Sequence, residues 1–479
     1  MTLTKSVVRA TRWSAFSQVT RQVSQLTAAI VLARLLSPDD FGVVAMATVV
    51  TGFVILLSDL GTSAAVIQRQ DHSSRFLSTV FWTNVIFGLI AMAVVIAISP
   101  LAASFYREER LIPVLAVLSV AFPLNGLVTL QRALLEKALD FEVLAKVEML
   151  STALAVGIAI AVALAGGGVW ALVLQTVTSV AAMAVFLWVK SEWRPRFEAS
   201  LSDMRSIAGL SGYLTGFNVV NYFARNADYL LIGWLLGSRD LGYYTMAYRI
   251  LMFPLQSISA VITRITLPAF SRIQEDNARF GRAYLRSIGA IALVSFPLMA
   301  GIFSVAGPFV EAAFGQEWLP MVPILMIFTP LGLVQSIVAT VGSIYIARNQ
   351  TETMFKWGLF AGVAVVVAFV IGLPWGAIGV AACYGVVSLA LAYPGMAIPL
   401  RLIGLRVKDS LSVLWPPFVS ASLMALLIFA ISKPVASVLS AWQVLLVDAA
   451  VGASIYFLLN LVINGEQLRT LRGLFLQQD

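Results

Sequence analysis

Arg21, Arg225, Arg249 and Arg264 fall inside long apolar runs, whereas the remaining basic residues fall between such runs. An arginine at the centre of a membrane helix costs about 2.5–3.5 kcal/mol on insertion scales, so a retained one faces water or a partner. The neighbours of these arginines are patterned. Ser14, Gln18, Arg21 and Gln25 recur at i, i+4, i+7 and i+11, and Asn218, Asn221, Arg225 and Asp228 at i, i+3, i+7 and i+10. Each set forms one polar stripe on a helix. Gln18, Arg21 and Gln25 stand two hundred residues before Asn218, Asn221 and Arg225, so two helices carry the same stripe at equivalent depth.

The chemistry that such stripes suit is anion binding. A planar guanidinium matches phosphate oxygens bidentately, which lysine does not. The substrate-cavity candidates are therefore Arg21, Gln18, Gln25, Asn218, Asn221, Arg225 and Arg249. Carboxylates inside apolar runs are fewer: Asp59, Asp228 and Asp448. Asp228 and Asp59 are candidates for coupling to a cation gradient, and Asp448 receives no role. Competing readings stand beside these. Arg21 lies about 12 Å into its run and can snorkel to the interface. Arg225 and Asp228, three apart, can neutralise each other. Arg264 and Asp59 sit near the ends of their runs, where an interfacial role serves equally. With one histidine, His72, and one cysteine, Cys383, no metal centre, internal disulfide or cofactor is expected.

The elements that must position these residues are membrane helices. Apolar residues make up 59% of the chain and charged ones 12%, with a mean hydropathy of +0.90. A soluble domain carries about 25% charged residues. Runs of the length that crosses a hydrocarbon core recur from end to end, leaving no room for a catalytic head. Fourteen spans are expected, at about 13–36, 41–59, 77–99, 111–131, 143–165, 169–189, 207–235, 241–268, 285–306, 319–346, 354–373, 376–400, 411–432 and 441–463. The first lacks a cleavage site and is expected to remain. With the termini and alternate loops on one side, 23 basic residues collect there, against Arg34, Arg107, Arg110, Arg239 and Lys433 on the other. The positive-inside rule then puts both termini in the cytoplasm. The net charge of +8 reflects this orientation, and no basic face interleaved with aromatics suggests nucleic acid.

The chain is internally duplicated. "LLSPDDFGVVAMA" from Leu35 and "LLGSRDLGYYTMA" from Leu235 agree at Leu35/Leu235, Leu36/Leu236, Asp40/Asp240, Gly42/Gly242, Met46/Met246 and Ala47/Ala247. Weaker echoes pair "FPLNGLV" at Phe122 with "TPLGLV" at Thr329. Six spans separate the copies, so the repeats are parallel. The expected fold is an all-α membrane protein of about 14 transmembrane helices: two parallel six-helix lobes, residues 1–200 and 201–405, plus a C-terminal helix pair, 406–479. The segment "QRALLEKALDFEVLAKVEML" from Gln131 has charges at helical spacing and is expected along the cytoplasmic interface, as a helical extension or amphipathic linker.

"LARLLSPDDFGVVAMATVV", "SDLGTSAAVIQR" and "NYFARNADYLLIGWLLGSRDLGYYTMAYRI" resemble the polysaccharide transporter family of the multidrug/oligosaccharidyl-lipid/polysaccharide superfamily. The resemblance covers most of the first twelve spans. It implies a fold like that of the multidrug exporters of that superfamily, and a flippase for undecaprenyl-pyrophosphate-linked oligosaccharides in the bacterial inner membrane, serving O-antigen, capsule or exopolysaccharide export. Membrane lipid, a polysaccharide polymerase and glycosyltransferases are the implied partners. Arg21, Arg225 and Arg249 would be the basic cavity positions. Two alternatives remain at this point: a cation-coupled multidrug exporter, which wants an acidic cavity, and a membrane glycosyltransferase or polymerase, which wants a large catalytic loop.

Overall fold

The computed structural model describes residues 24–58, 73–198, 221–272, 276–436 and 439–463, with Thr20, Gln22, Thr62, Val66 and Ile67; over 256–272 and 433–436 the helix path alone is described. Every regular element among the described residues is helical. Two compact units, Met1–Gly242 and Tyr243–Asp479, divide the chain.

In the first unit the helices are α1 (Ser24–Leu35), α2 (Pro38–Ser58), α3 (Ser74–Tyr106), α4 (Leu111–Ser119), α5 (Ala121–Lys137), α6 (Phe141–Leu164), α7 (Val169–Lys190) and α8 (Ala227–Leu235). The turn between α1 and α2 follows from "SPDD". Ser37 is the N-cap: its hydroxyl accepts the Asp40 N–H at 3.3 Å, and the Asp40 carboxylate accepts the Ser37 N–H at 3.1 Å. This is a capping box, with Pro38 at the first helical position where its missing N–H does no harm. Around this turn α2 packs on α3, α4, α7 and α8, and α6 packs along α7.

The segment from Gln131 takes the form of a helical extension: it is the end of one long helix, a turn, and the start of another. α5 stops at Lys137, Leu139 takes a left-handed conformation (φ 56°), and Asp140 caps α6 by accepting the Val143 N–H at 3.2 Å. Its charges are satisfied across the hairpin: Arg132 pairs with Glu136 at 2.8 Å and with Glu148 at 3.1 Å. Glu148 is thereby buried within the bundle.

The second unit continues α9 (Ser238–Arg272) and adds α10 (Asn277–Ser304), α11 (Ala306–Ala313), α12 (Val322–Val338), α13 (Val341–Ala347), α14 (Thr351–Gly372), α15 (Gly376–Leu402), α16 (Val407–Ala436) and α17 (Ala441–Ile463). On α10 the buried Phe280, Tyr284, Ile288, Ile291 and Phe296 repeat at three to five residues, and this stripe packs against α12, α15 and α16. α17 packs on α16 and α11. Ten stretches among the described residues are long and apolar enough to cross a membrane, and one, Thr351–Leu402, contains both α14 and α15. Spans one and seven of the expected fourteen lie partly outside the described residues. α9, with Arg239, Asp240 and Arg249, is not among the ten.

Candidate functional site

Gln18, Arg21, Asn218 and Asp59 lie outside the described residues. Gln25, Asn221, Arg225 and Arg249 are all exposed, as a charged or amide side chain facing water would be. Asp228 is not. The helix carrying Asn221 and Arg225 is interrupted by a turn at Asn226, where α8 begins. Beyond that turn Asp228 is 6% exposed, and its carboxylate accepts the Tyr229 N–H at 2.9 Å. An anion in the first turn of a helix is favourably placed against its dipole. Arg225 and Asp228 therefore sit in different environments although three residues apart.

One cavity among the described residues is a half-open groove. It measures about 540 Å³ and lies between the first helix and α6. Thr20, Ser24 and Thr27 line it from one side, and Glu148 and Thr152 from the other. Farther along the same two helices the lining turns aliphatic, with Val31, Val156 and Ile160. Three long apolar passes, Pro38–Leu56, Ser74–Tyr106 and Leu111–Lys137, separate the two helices in sequence, so both run the same way across the membrane. The cavity is thus polar at one end and apolar towards the other. Gly157 borders it, and a Cβ there would meet nothing within 4 Å.

The cavity has a second set of polar residues on the first helix. Each residue turns a helix by about 100°, so Thr20, Ser24 and Thr27 form one stripe along the first helix. The overlooked signal was hydroxyls at i, i+4 and i+7 facing Glu148 and Thr152, themselves four apart on α6. The lining is mostly apolar, with four hydroxyls and the Glu148 carboxylate towards one end. Arg132, bridging Glu136 and Glu148, holds that carboxylate in place.

At the opposite end of the first unit the two copies of the repeated motif meet. A Cβ at Gly42 would lie 1.7 Å from the Ser238 carbonyl oxygen, and one at Gly242 would lie 1.9 Å from that of Pro38. The contact is reciprocal under the two-hundred-residue offset. The first turns of α2 and α9 cross with backbone against backbone, an approach that only glycine permits. A polar clamp surrounds the crossing. Asp39 accepts the Ser238 hydroxyl and also binds Arg110 at 2.6 Å, while Arg110 holds Glu108 at 2.8 Å. The Arg110 guanidinium, donating to Glu108, holds that carboxyl below its usual range. Nearby, the Tyr222 hydroxyl donates to the Val49 carbonyl at 2.6 Å, its oxygen seated against Gly52.

Known proteins share this sequence and fold. The profile of the family described as "Polysaccharide biosynthesis protein" matches residues 31–323. The chain is similar to the lipopolysaccharide biosynthesis protein WzxC of Escherichia coli (strain K12), 27% identical over 428 residues, covering 87% of this chain and 86% of that one. It is also similar to the succinoglycan biosynthesis transport protein ExoT of Rhizobium meliloti (strain 1021), 26% identical over 470 residues, covering 98% and 95%. Among solved structures, the lipid II flippase MurJ in an inward closed conformation superposes with a TM-score of 0.73 at 14% identity, over 96% of this chain and all of that one. An inward-facing multidrug resistance MATE family transporter of the MOP superfamily gives 0.61 at 17% identity, over 81% and 98%. The fold expected from sequence is thus the one observed, with the count of fourteen spans left aside. An all-helical membrane chain that matches this profile over more than half its length, the protein belongs to the polysaccharide biosynthesis protein family.

Proposed function

We propose that the protein is a flippase that carries undecaprenyl-pyrophosphate-linked oligosaccharide repeat units across the bacterial inner membrane by alternating access. The names of its relatives, for polysaccharide biosynthesis and transport, and its fold likeness to a lipid II flippase support this reading. The observation that carries the mechanism is the reciprocal glycine crossing. Gly42 and Gly242 join the repeats at one end, while the polar end of the α1–α6 cavity starts some 25 Å away, seventeen residues before Ser37 at 1.5 Å each. A close crossing of the two motif copies and a polar cavity at a distance from it suit a transporter built of repeats.

The basic-residue count supports cytoplasmic termini, which makes the crossing the periplasmic end. In this reading the two lobes, residues 1–200 and 201–405, rock against each other, and 406–479 flank them. Arg21, Arg225 and Arg249 supply the field for the pyrophosphate, and Gln18, Gln25, Asn218 and Asn221 the surrounding hydrogen bonds. Asp228 and Asp59 are the carboxylates available for coupling. Glycosyltransferases supply the substrate and a polymerase consumes it. The polyprenyl tail stays in lipid. One observation favours a cation-coupled drug exporter instead, the carboxylate of Glu148 in the cavity, but Arg132 offsets its charge.

Arg21→Ala and Arg225→Ala test the reading. Each removes a charge-assisted contact worth about 1.5–3 kcal/mol, so lipid-linked repeat units accumulate in the cytoplasmic leaflet at normal protein level. Lysine at either site restores part of the transport. Combining Arg225→Ala with Asp228→Asn controls for the carboxylate left behind. Normal flipping in Arg21→Ala and in the double variant refutes the anion site.

A further inference from the structure

The segment that follows α7 has no regular structure but a full set of anchors. From Ser191 to Glu198 it forms a strap that runs back across the first turns of α3. The Arg196 N–H donates to the Ser78 hydroxyl at 3.0 Å, and the Trp82 indole N–H donates to the Arg196 carbonyl at 2.9 Å. Arg194 fixes the turn out of α7. Its guanidinium donates to the carbonyls of Trp188 at 3.0 Å, Ser191 at 2.6 Å and Trp193 at 2.9 Å, and lies 5.5 Å over the Trp188 ring. Beneath the strap, Phe81 makes edge contacts with Trp82, Trp188 and Trp193. Pinned in this way, the strap still holds two kinds of side chain outward. Phe197 is 93% exposed and stacks on Trp82. Lys190, at the end of α7, and Arg196 are exposed and in no ion pair among the described residues.

Helix length gives the depth of the strap. α3 has 33 residues, about 50 Å at the helical rise, of which a hydrocarbon core takes about 30 Å. About 10 Å therefore stands clear at each end, which puts Ser78 in the headgroup layer and Trp82, about 12 Å from Ser74, at its border with the acyl chains. That border is where tryptophan is enriched in membrane proteins. We propose that the strap is a binding surface for anionic phospholipid: Phe197 enters the acyl chains beside Trp82, while Lys190 and Arg196 snorkel to the headgroup phosphate. Charge selects the lipid. Lys190, Arg194, Arg196 and Arg75 at the start of α3 stand against the carboxylates of Glu192 and Glu198, so the surface carries a net charge of +2. Basic side chains next to a membrane helix gain from a negative lipid surface, and a lipid with no net charge does not supply that field. The transported substrate takes no part, so this surface stands or falls apart from the flippase reading.

The test uses full-length protein with Cys383→Ala and Glu198→Cys, labelled with a fluorophore at the new thiol and reconstituted into phosphatidylcholine vesicles. The quenchers are phosphatidylglycerol and phosphatidylcholine brominated on the same acyl chains, and the ratio of the fractions that half-quench gives the preference. At about fivefold for each unpaired cation, Lys190 and Arg196 together favour phosphatidylglycerol by about 25-fold. Arg196→Gln or Lys190→Gln lowers the preference to about fivefold, and the two combined abolish it. Arg196→Lys and Lys190→Arg keep it, as does Arg107→Gln at the other end of α3. Phe197→Ser weakens quenching by both lipids alike, because it removes the apolar anchor and no charge. Circular dichroism checks that each variant is folded. Equal quenching by the two lipids before any charge is removed, or a preference that survives the double variant, overturns the proposal. Quenching by neither lipid also overturns it, since the strap would then face water and an acidic protein would be the occupant to seek.

Discussion

Adding one methyl group at the crossing of the repeated motifs has a calculable effect. In Gly42→Ala the new Cβ would start 1.7 Å from the Ser238 carbonyl oxygen, where real Cβ contacts stay beyond 3.0 Å, so the helices must part by about 1.3 Å. The opposing atom is backbone and cannot swing aside. Overpacking of this kind costs about 1–3 kcal/mol, which lowers the population of the closed crossing by roughly five- to 150-fold. Ser238 reports the change because it is 9% exposed when the crossing is closed. In a Cys383→Ala background, Ser238→Cys should react slowly with a hydrophilic thiol reagent, and Gly42→Ala should speed that reaction by the same factor. Gly242→Ala, at 1.9 Å from the Pro38 oxygen, should match it, and Gly157→Ala, with open space around it, should change nothing. An unaltered rate in both Gly42→Ala and Gly242→Ala would refute the reasoning that the crossing holds this end shut.

Acid should weaken the clamp beside that crossing. Glu108 is held below its usual range chiefly by its bond from Arg110, so the unfolded chain binds the proton more readily and stability rises with pH. The contribution is complete above the ordinary carboxylate pKa of about 4.3 and is lost as pH falls through the lower folded value. With Arg110 43% exposed it amounts to less than about 1 kcal/mol. Glu108→Gln should flatten the acid side of a plot of Tm against pH, and an unchanged slope would count against the pair. Asp448, 2% exposed on α17, has an Oδ2 with no hydrogen-bond partner among the described residues. Asp448→Leu combined with Ser432→Ala, which removes the hydroxyl that bonds the carboxylate, should raise stability by about 1–3 kcal/mol, seen as a higher Tm with transport intact; lost transport would show that the carboxyl works. For orientation, cysteines at Arg279 and Arg406 should be shielded from an impermeant reagent in intact cells while Arg107→Cys labels. The reverse pattern would invert the topology.

The repeated motif was legible because its glycines and capping residues are letters in the sequence. That Gly42 and Gly242 touch reciprocally was not, since a repeat specifies similar parts and leaves their meeting to tertiary packing. The helix carrying Glu148 was expected at 143–165 and runs over Phe141–Leu164, but its ion pairing was not legible. Arg132, Glu136, Glu142, Lys146 and Glu148 look like a solvated face when taken in order, and only the hairpin at Leu139 and Asp140 brings Arg132 to Glu148. Asp140 ahead of an apolar run was the available N-cap signal. A leucine in the left-handed region announces nothing. The cavity lining was missed because hydroxyls weigh little in hydropathy, although within a membrane they are among the few hydrogen-bonding side chains that helices carry cheaply.

The space beside Gly157 bears on how such a protein changes over generations. A crossing built from glycine against backbone tolerates almost no substitution, whereas the cavity wall is lined by Thr20, Ser24, Thr27, Thr152 and Gly157, positions where one codon change adds or removes a methyl or a hydroxyl. Such exchanges leave the hairpin of α5 and α6 and the capping of α2 as they are. The chain therefore separates a crossing where one added methyl collides with backbone from a wall where side chains can be exchanged without moving a helix.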